Sequence, residues 1–254
     1  CLKYPKDIYG ALFNAAWATL KQFSKNPEHL GADMGMIGIL HTWGQNMSLH
    51  PHLHCIIPGG GITKQGKWKQ AKNKGKYLFN VQTMSPVFKA KFVAELRQRK
   101  LNIPQTTYDK VFKKDWVVYA KPAFGTAKSI VEYLGRYTHK IAISNHRILS
   151  VNEDTKKVVF SLKDYRKSGK KITLTLTTQE FVRRFSLHIL PKGFTRLRHY
   201  GFLSSAWKKE KLPRLQAQMG VVQQIVEKKI SKTVLKKCPK CKVGNLVTIV
   251  ISDN

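Results

Sequence analysis

The stretch MGMIGILHTWGQNMSLHPHLHCIIPGGG, residues 34–61, decides the fold. Two short β-type runs, Met34 to Trp43 and the one opening at His52, flank a polar loop, a pattern that predicts adjacent antiparallel strands. Residues two apart in a strand point to one face, so His52 and His54 can grip one metal ion together. Ile56 and Ile57 carry the second run into the core and fix the imidazoles on a rigid element. His41, on the preceding strand, is the expected third ligand, with Gln45 or His50 as substitutes. An isolated His-x-His decorates a strand edge at least as often as it binds metal. Imidazole suits Mn, Zn and Fe while Mg prefers oxygen, so a site of mixed histidines and substrate oxygens could accept several ions.

Outward from this stretch, strands and helices alternate irregularly. Residues 7–23 place Ile8, Leu12, Ala15, Ala16, Thr19 and Phe23 at helical spacing behind Asp7 as N-cap. Lys64 to Lys76 holds six lysines and no acid, which reads as a solvated basic loop or an exposed hairpin. Ser85 to Lys100 reads as a helix with Pro86 at its first position, Trp116 to Lys121 as a strand, and Thr126 to Tyr137 as a helix. Strands follow within 141–151, 158–162 and 171–177, then a helix from Thr178 to Leu190. This order predicts an α+β fold, a central antiparallel sheet with flanking helices, rather than a doubly wound one.

On the helix from Thr126, Tyr133 and Tyr137 stand four apart and share one flank. Two phenols can be offered there to one scissile phosphate, or to two in turn. An arbitrary Tyr-x-x-x-Tyr more often packs at the edge of a core. Two features favour chemistry. Gly135 costs a helix about 1 kcal/mol relative to alanine, which predicts a close approach at that point. Arg136, His139 and Lys140 surround the pair with positive charge suited to a phosphate.

The 46 Lys and Arg against 14 Asp and Glu leave a net charge of +32, and a polyanion is the natural partner. No apolar run approaches the roughly 18 residues that span a bilayer, so nucleic acid is favoured over a membrane. The sequence opens on Cys1 without a secretory pattern and reads as an internal fragment of a cytoplasmic protein. Its four cysteines, Cys1, Cys55, Cys238 and Cys241, are too few and too uneven for a disulfide framework. Cys238 and Cys241 have the spacing of half a zinc knuckle and would hold a structural Zn only with further ligands.

Taken together, HTWGQNMSLHPHLHCIIPGGG, EYLGRYTHKIAISNHRI and FVRRFSLHILPKGFTRLRHYGFL resemble the two-tyrosine transposases of rolling-circle insertion sequences, members of the HUH endonuclease superfamily. The resemblance spans nearly the whole chain in the same order. It implies a compact antiparallel HUH-type sheet carrying the two histidines of the metal motif, matched here by His52 and His54, and a facing helix with the two nucleophiles, matched by Tyr133 and Tyr137. The third ligand does not transfer. The implied cofactor is a divalent Mg or Mn ion, and the implied partner is single-stranded DNA at transposon ends and target. The implied chemistry is cleavage and rejoining through a 5′-phosphotyrosine. Family members usually carry a cysteine-rich zinc module ahead of the catalytic part, of which Cys1 would be the remnant.

The expected organisation is a catalytic domain over residues 1–190, with a helical lead-in, and a basic extension over 191–254. Arg136, Lys140, Arg183, Arg184, Lys192, Arg196 and Arg198 are the candidate DNA contacts. Two rival readings are weighed against this one. A nuclease with two carboxylate-held metals finds too few acids near the histidines. A non-catalytic basic DNA-binding protein of a mobile element fits the charge equally well, and a covalent protein–DNA adduct would tell the two apart.

Overall fold

The computed structural model describes residues 3–72, 78–121, 124, 126–138, 141–164, 168–208, 211–220, 237 and 241–243. The chain divides into two units, Cys1–Gly220 and Val221–Asn254. In chain order the elements of the first unit are α1 (Pro5–Lys25), β1 (Gly35–Trp43), β2 (Leu49–Ile56), β3 (Gly60–Ile62), β4 (Trp68–Gln70) and α2 (Val81–Gln98). There follow α3 (Gln105–Lys113), α4 (Ala127–Thr138), β5 (Ile148–Asn152), β6 (Lys157–Asp164) and β7 (Lys170–Thr177). The unit ends with α5 (Thr178–Ser186), β8 (Leu197–Gly201), α6 (Ser205–Lys208) and α7 (Lys211–Gln218). The class is α+β with antiparallel sheets, as the residue pattern predicts.

The polar turn after Trp43 lets the chain fold back, and β1 pairs antiparallel with β2, Leu40 opposite Leu53 and His41 opposite His52. β8 pairs with the other edge of β1, giving the order β2-β1-β8. Alternation along β1 sends Leu40 toward α1, where Ile8, Leu12, Phe13, Phe92 and Val93 form the main core with it, and sends His41 to the opposite face. Gly38 admits the ring of Phe13, whose nearest atom would lie 3.1 Å from an added Cβ. Gly201 has φ +59 and an added Cβ would collide with the carbonyl of Met34, so the end of β8 requires glycine.

The second sheet, β5-β6-β7, turns Phe160, Leu162, Leu174 and Leu176 inward. Phe160 joins Met47 and Ile143 in a separate cluster. Met47, from the β1–β2 turn, is fully buried there, a contribution of about 1.5–3 kcal/mol.

Several elements differ from the residue pattern. α2 starts at Val81 because the Asn80 side chain accepts from the Gln82 amide at 2.8 Å, which leaves Pro86 inside the helix rather than at its first position. Trp116 to Lys121 forms no strand. Trp116 packs on Phe88 and Phe92 instead, and Val117 and Tyr119 lie exposed. Residues 141–144 bend inward to bury Ala142 and Ile143, so the strand expected there begins only at Ile148. α3 gave no clear apolar period, having Tyr108 as its one buried residue. α5 stops at Ser186, four residues short of Leu190. The basic run past Lys192 supplies β8, whose arginines hide the strand alternation.

Candidate metal and tyrosine site

The register that sets His41 opposite His52 places His54 one pair further along the same face, opposite Ile39. The three histidines can each turn one ligand nitrogen to within 4.8 Å of the others. His41 completes the triad among the described residues. His50 does not join it, and the backbone carbonyl of Gln45 accepts from Arg147.

Each ring is oriented by a hydrogen bond. Nε2 of His41 donates to the Tyr137 carbonyl at 3.0 Å, and Nδ1 of His52 donates to the His50 carbonyl at 2.7 Å. Imidazoles that bind metal characteristically give their second N–H to such an acceptor, which fixes the tautomer. Burial lowers the pKa of His52 below the ordinary imidazole value, and the His50 carbonyl opposes that shift. His52 is thereby held neutral, the form a metal ion needs.

α4 sets its tyrosines against this triad. Thr126 accepts from the Ser129 amide at 3.2 Å and starts the helix. The ring of Tyr137 lies 4.2 Å from that of His54 and 5.2 Å, stacked, from that of His41. The rings of Tyr133 and Tyr137 are 4.2 Å apart, and the Tyr133 hydroxyl is hydrogen-bonded to both Nδ1 of His54 and Tyr137. Burial, with the charge and hydrogen bond of Tyr137, pushes the Tyr133 phenol up to about 12, while Arg136 pulls the other way. α4 buries none of its residues, Val131 being 67% exposed, so its aromatic pair and its C-terminal carbonyl join it to the sheet. Among the described residues, no atom comes within 4 Å of a Cβ built on Gly135, apart from its chain neighbours and the backbone of its own helix.

A family model described as "Putative transposase" matches residues 35–211, which hold the whole of this site. The chain belongs to that transposase family. "Putative transposase y4qJ" of Sinorhizobium fredii is 36% identical over 97% of this chain and 68% of its own length. "Transposase for insertion sequence element IS801" of Pseudomonas savastanoi pv. phaseolicola is 26% identical over 84% of this chain, which spans only 53% of that relative. No solved structure matches the chain.

The cationic residues of the transposase divide by role. Arg136 is exposed on α4 and Lys192 is exposed after α5, whereas Lys140 lies outside the described residues. Arg183 and Arg184 both bind Glu180, at 2.6 and 2.7 Å, and hold its carboxyl down to about 2. Arg198 lies over Phe13 and Phe194 on the α1 side of the sheet, away from the histidines. Arg196 donates to the carbonyls of Leu40 and Tyr137, both at 3.1 Å, and so ties the end of α4 to β1. The outer face of the second sheet carries Lys157, Ser161, Lys163, Lys171, Thr173 and Thr175 and no acid, with Lys163 directly opposite Lys171.

Burial pushes the Cys55 thiol up to about 12, and the ligand group among the described residues is made by the three histidines without it. Cys241 is exposed, and Cys1 and Cys238 lie outside the described residues. No helix among the described residues is long and apolar enough to cross a membrane.

Proposed function

We propose that this transposase cleaves and rejoins single-stranded DNA, using Tyr133 and Tyr137 as nucleophiles beside a divalent ion held by His41, His52 and His54. The observation that carries the proposal is the direct contact of the tyrosine pair with the triad. The donor set fits a metal: three imidazoles converge, two with their second nitrogen committed to a carbonyl. All-nitrogen donors suit Mn better than Mg. Bound there, the ion would polarise the scissile phosphate and offset charge developing on it.

The remaining chemistry belongs to the chain. With His54 serving the metal through Nε2, its Nδ1–H points at the Tyr133 oxygen and stabilises negative charge on it. A phenol gives up its proton as its oxygen attacks phosphorus, which forms the phosphotyrosine bond on the 5′ side and breaks the bond to the 3′ oxygen, and that oxygen takes up a proton. The ester keeps the bond energy for rejoining, so transfer needs no nucleotide hydrolysis. Arg136, near Tyr133, and the acid-free lysine and threonine face of the second sheet are the proposed phosphate contacts. A DNA substrate puts the protein in the cytoplasm.

The test is incubation with labelled single-stranded DNA from the element's own ends, with Mn or Mg. A metal-dependent covalent adduct mapping to Tyr133 or Tyr137 is expected, and binding without any adduct would leave only the DNA-binding reading.

A further inference from the structure

The turn that joins the two histidine strands is held from outside by three side chains on three successive carbonyls. Arg147 Nη2 donates to Gln45, Arg184 Nη1 donates to Asn46 at 3.1 Å, and His188 Nε2 donates to Met47 at 3.1 Å. All three come from the segment that builds the second sheet and α5. Backbone carbonyls in a turn are ordinarily left to water, so three consecutive captures specify one shape for this loop.

His188 does more than the two arginines. Its Nδ1 lies 3.2 Å from the hydroxyl of Thr42, a residue 2% exposed and adjacent to His41. Since Nε2 donates to a carbonyl, neutral Nδ1 accepts from the hydroxyl, and one ring bridges the outgoing strand at Thr42 and the turn at Met47.

The bridged region is where the hairpin departs from regular pairing. His41 pairs with His52 but Trp43 pairs with Leu49, so Thr42 alone faces His50 and Pro51. This is a β-bulge, and Pro51, lacking an N–H, fits the unpaired position. A bulge redirects the side chains beside it, here His41 and His52. Met47 takes a left-handed φ of +58, a strained conformation for a non-glycine, and its side chain is fully buried against Phe160 and Ile143. The bulge and the left-handed residue are the two places where the hairpin could relax, and His188 binds at both.

We infer that His188 is a positioning residue for the metal centre: it touches no ligand, but acts through Thr42 and Met47 to hold the bulged hairpin in the geometry that converges His41, His52 and His54. The inference rests on the metal reading of the triad.

Mn titration and amide hydrogen exchange on His188→Ala, His188→Gln and Thr42→Val test it, with Val93→Ala in the α1–α2 core as a control for lost stability. Mn affinity should fall about 10- to 100-fold in His188→Ala and recover in part in His188→Gln, which can still donate to Met47. The control should bind Mn as the parent does. In metal-free protein, the amides of residues 44–54 should exchange faster in His188→Ala while those of α1 and α2 do not. Unchanged affinity with unchanged exchange, or equal loss in the control, would overturn the role. A parent protein that binds no Mn would sink the metal reading alone, and the exchange of residues 44–54 would then decide on His188.

Discussion

The hydroxyl of Tyr133 lies 2.9 Å from Nδ1 of His54, so a candidate nucleophile and a candidate metal ligand share one hydrogen bond. Tyr133→Phe and Tyr137→Phe delete a hydroxyl each and keep the ring packing at 4.2 Å. One variant is expected to lose initial cleavage and the other to cleave but fail in strand transfer, with no adduct in the double variant. Mass spectrometry of the trapped adduct checks this. DNA attached to neither residue would remove the assignment.

His52→Ala and His54→Ala should abolish cleavage and leave DNA binding largely intact, because the basic surface remains. His41→Ala should do the same and also loosen the end of α4, since it loses the bond to the Tyr137 carbonyl. His50→Ala should bind Mn within a few-fold of the parent. Calorimetric Mn titration beside a cleavage assay reads both effects, and native-rate cleavage by His52→Ala would show the centre to be misplaced.

Arg183, then Arg184, draws the Glu180 carboxyl from its ordinary 4.5 down to about 2 in the folded chain. A depressed folded value means the unfolded chain binds the proton more tightly. The contribution of Glu180 is therefore complete above about pH 5 and is lost as pH falls toward 2. Glu180→Gln should flatten that part of the melting-temperature curve and, by freeing Arg184 from its acid, weaken the hold on Asn46. Melting curves between about pH 2 and 7 with the same acid slope in both proteins would refute this.

Lys163 opposite Lys171 is a like-charge pair with no acid on its face, an arrangement that costs a sheet stability unless an anion covers it. If the face tracks a DNA backbone, Lys157, Lys163 and Lys171 changed together to Ala should lower the slope of log affinity against log salt by about 2, from roughly 0.7 per phosphate contact. Fluorescence anisotropy over a salt series measures it. An unaltered slope would place the DNA elsewhere.

The histidine hairpin was legible because two constraints coincide in it. Alternation puts His52 and His54 on one face, and a short polar turn folds β2 back beside β1. His41 was named ahead of Gln45 and His50 from its place on the preceding strand, but the bulge at Thr42 beside it was not legible, because only pairing reveals it. The tyrosine helix was found from its spacing, although none of its residues is buried and Val131 is 67% exposed. β8 was hidden for a related reason: Arg198 within it and Arg196 just before it read as phosphate contacts, but their guanidinium groups lie over Phe13 and Trp43 and donate to backbone carbonyls. His188 carried no local signal, because both of its partners are more than 140 residues away in sequence.

The carbonyl of Tyr137 receives two hydrogen bonds, from His41 and Arg196, at the end of a helix that buries none of its residues. Mechanically that is a lever with its fulcrum at Tyr137, one of the two proposed nucleophiles. Any swing of α4 about this point leaves Tyr137 nearly where it is and carries Tyr133, about 6 Å farther along the axis, through the larger arc. The two phenols thus differ in leverage: Tyr137 sits at the pivot, and Tyr133 is held at the long arm by its bond to His54.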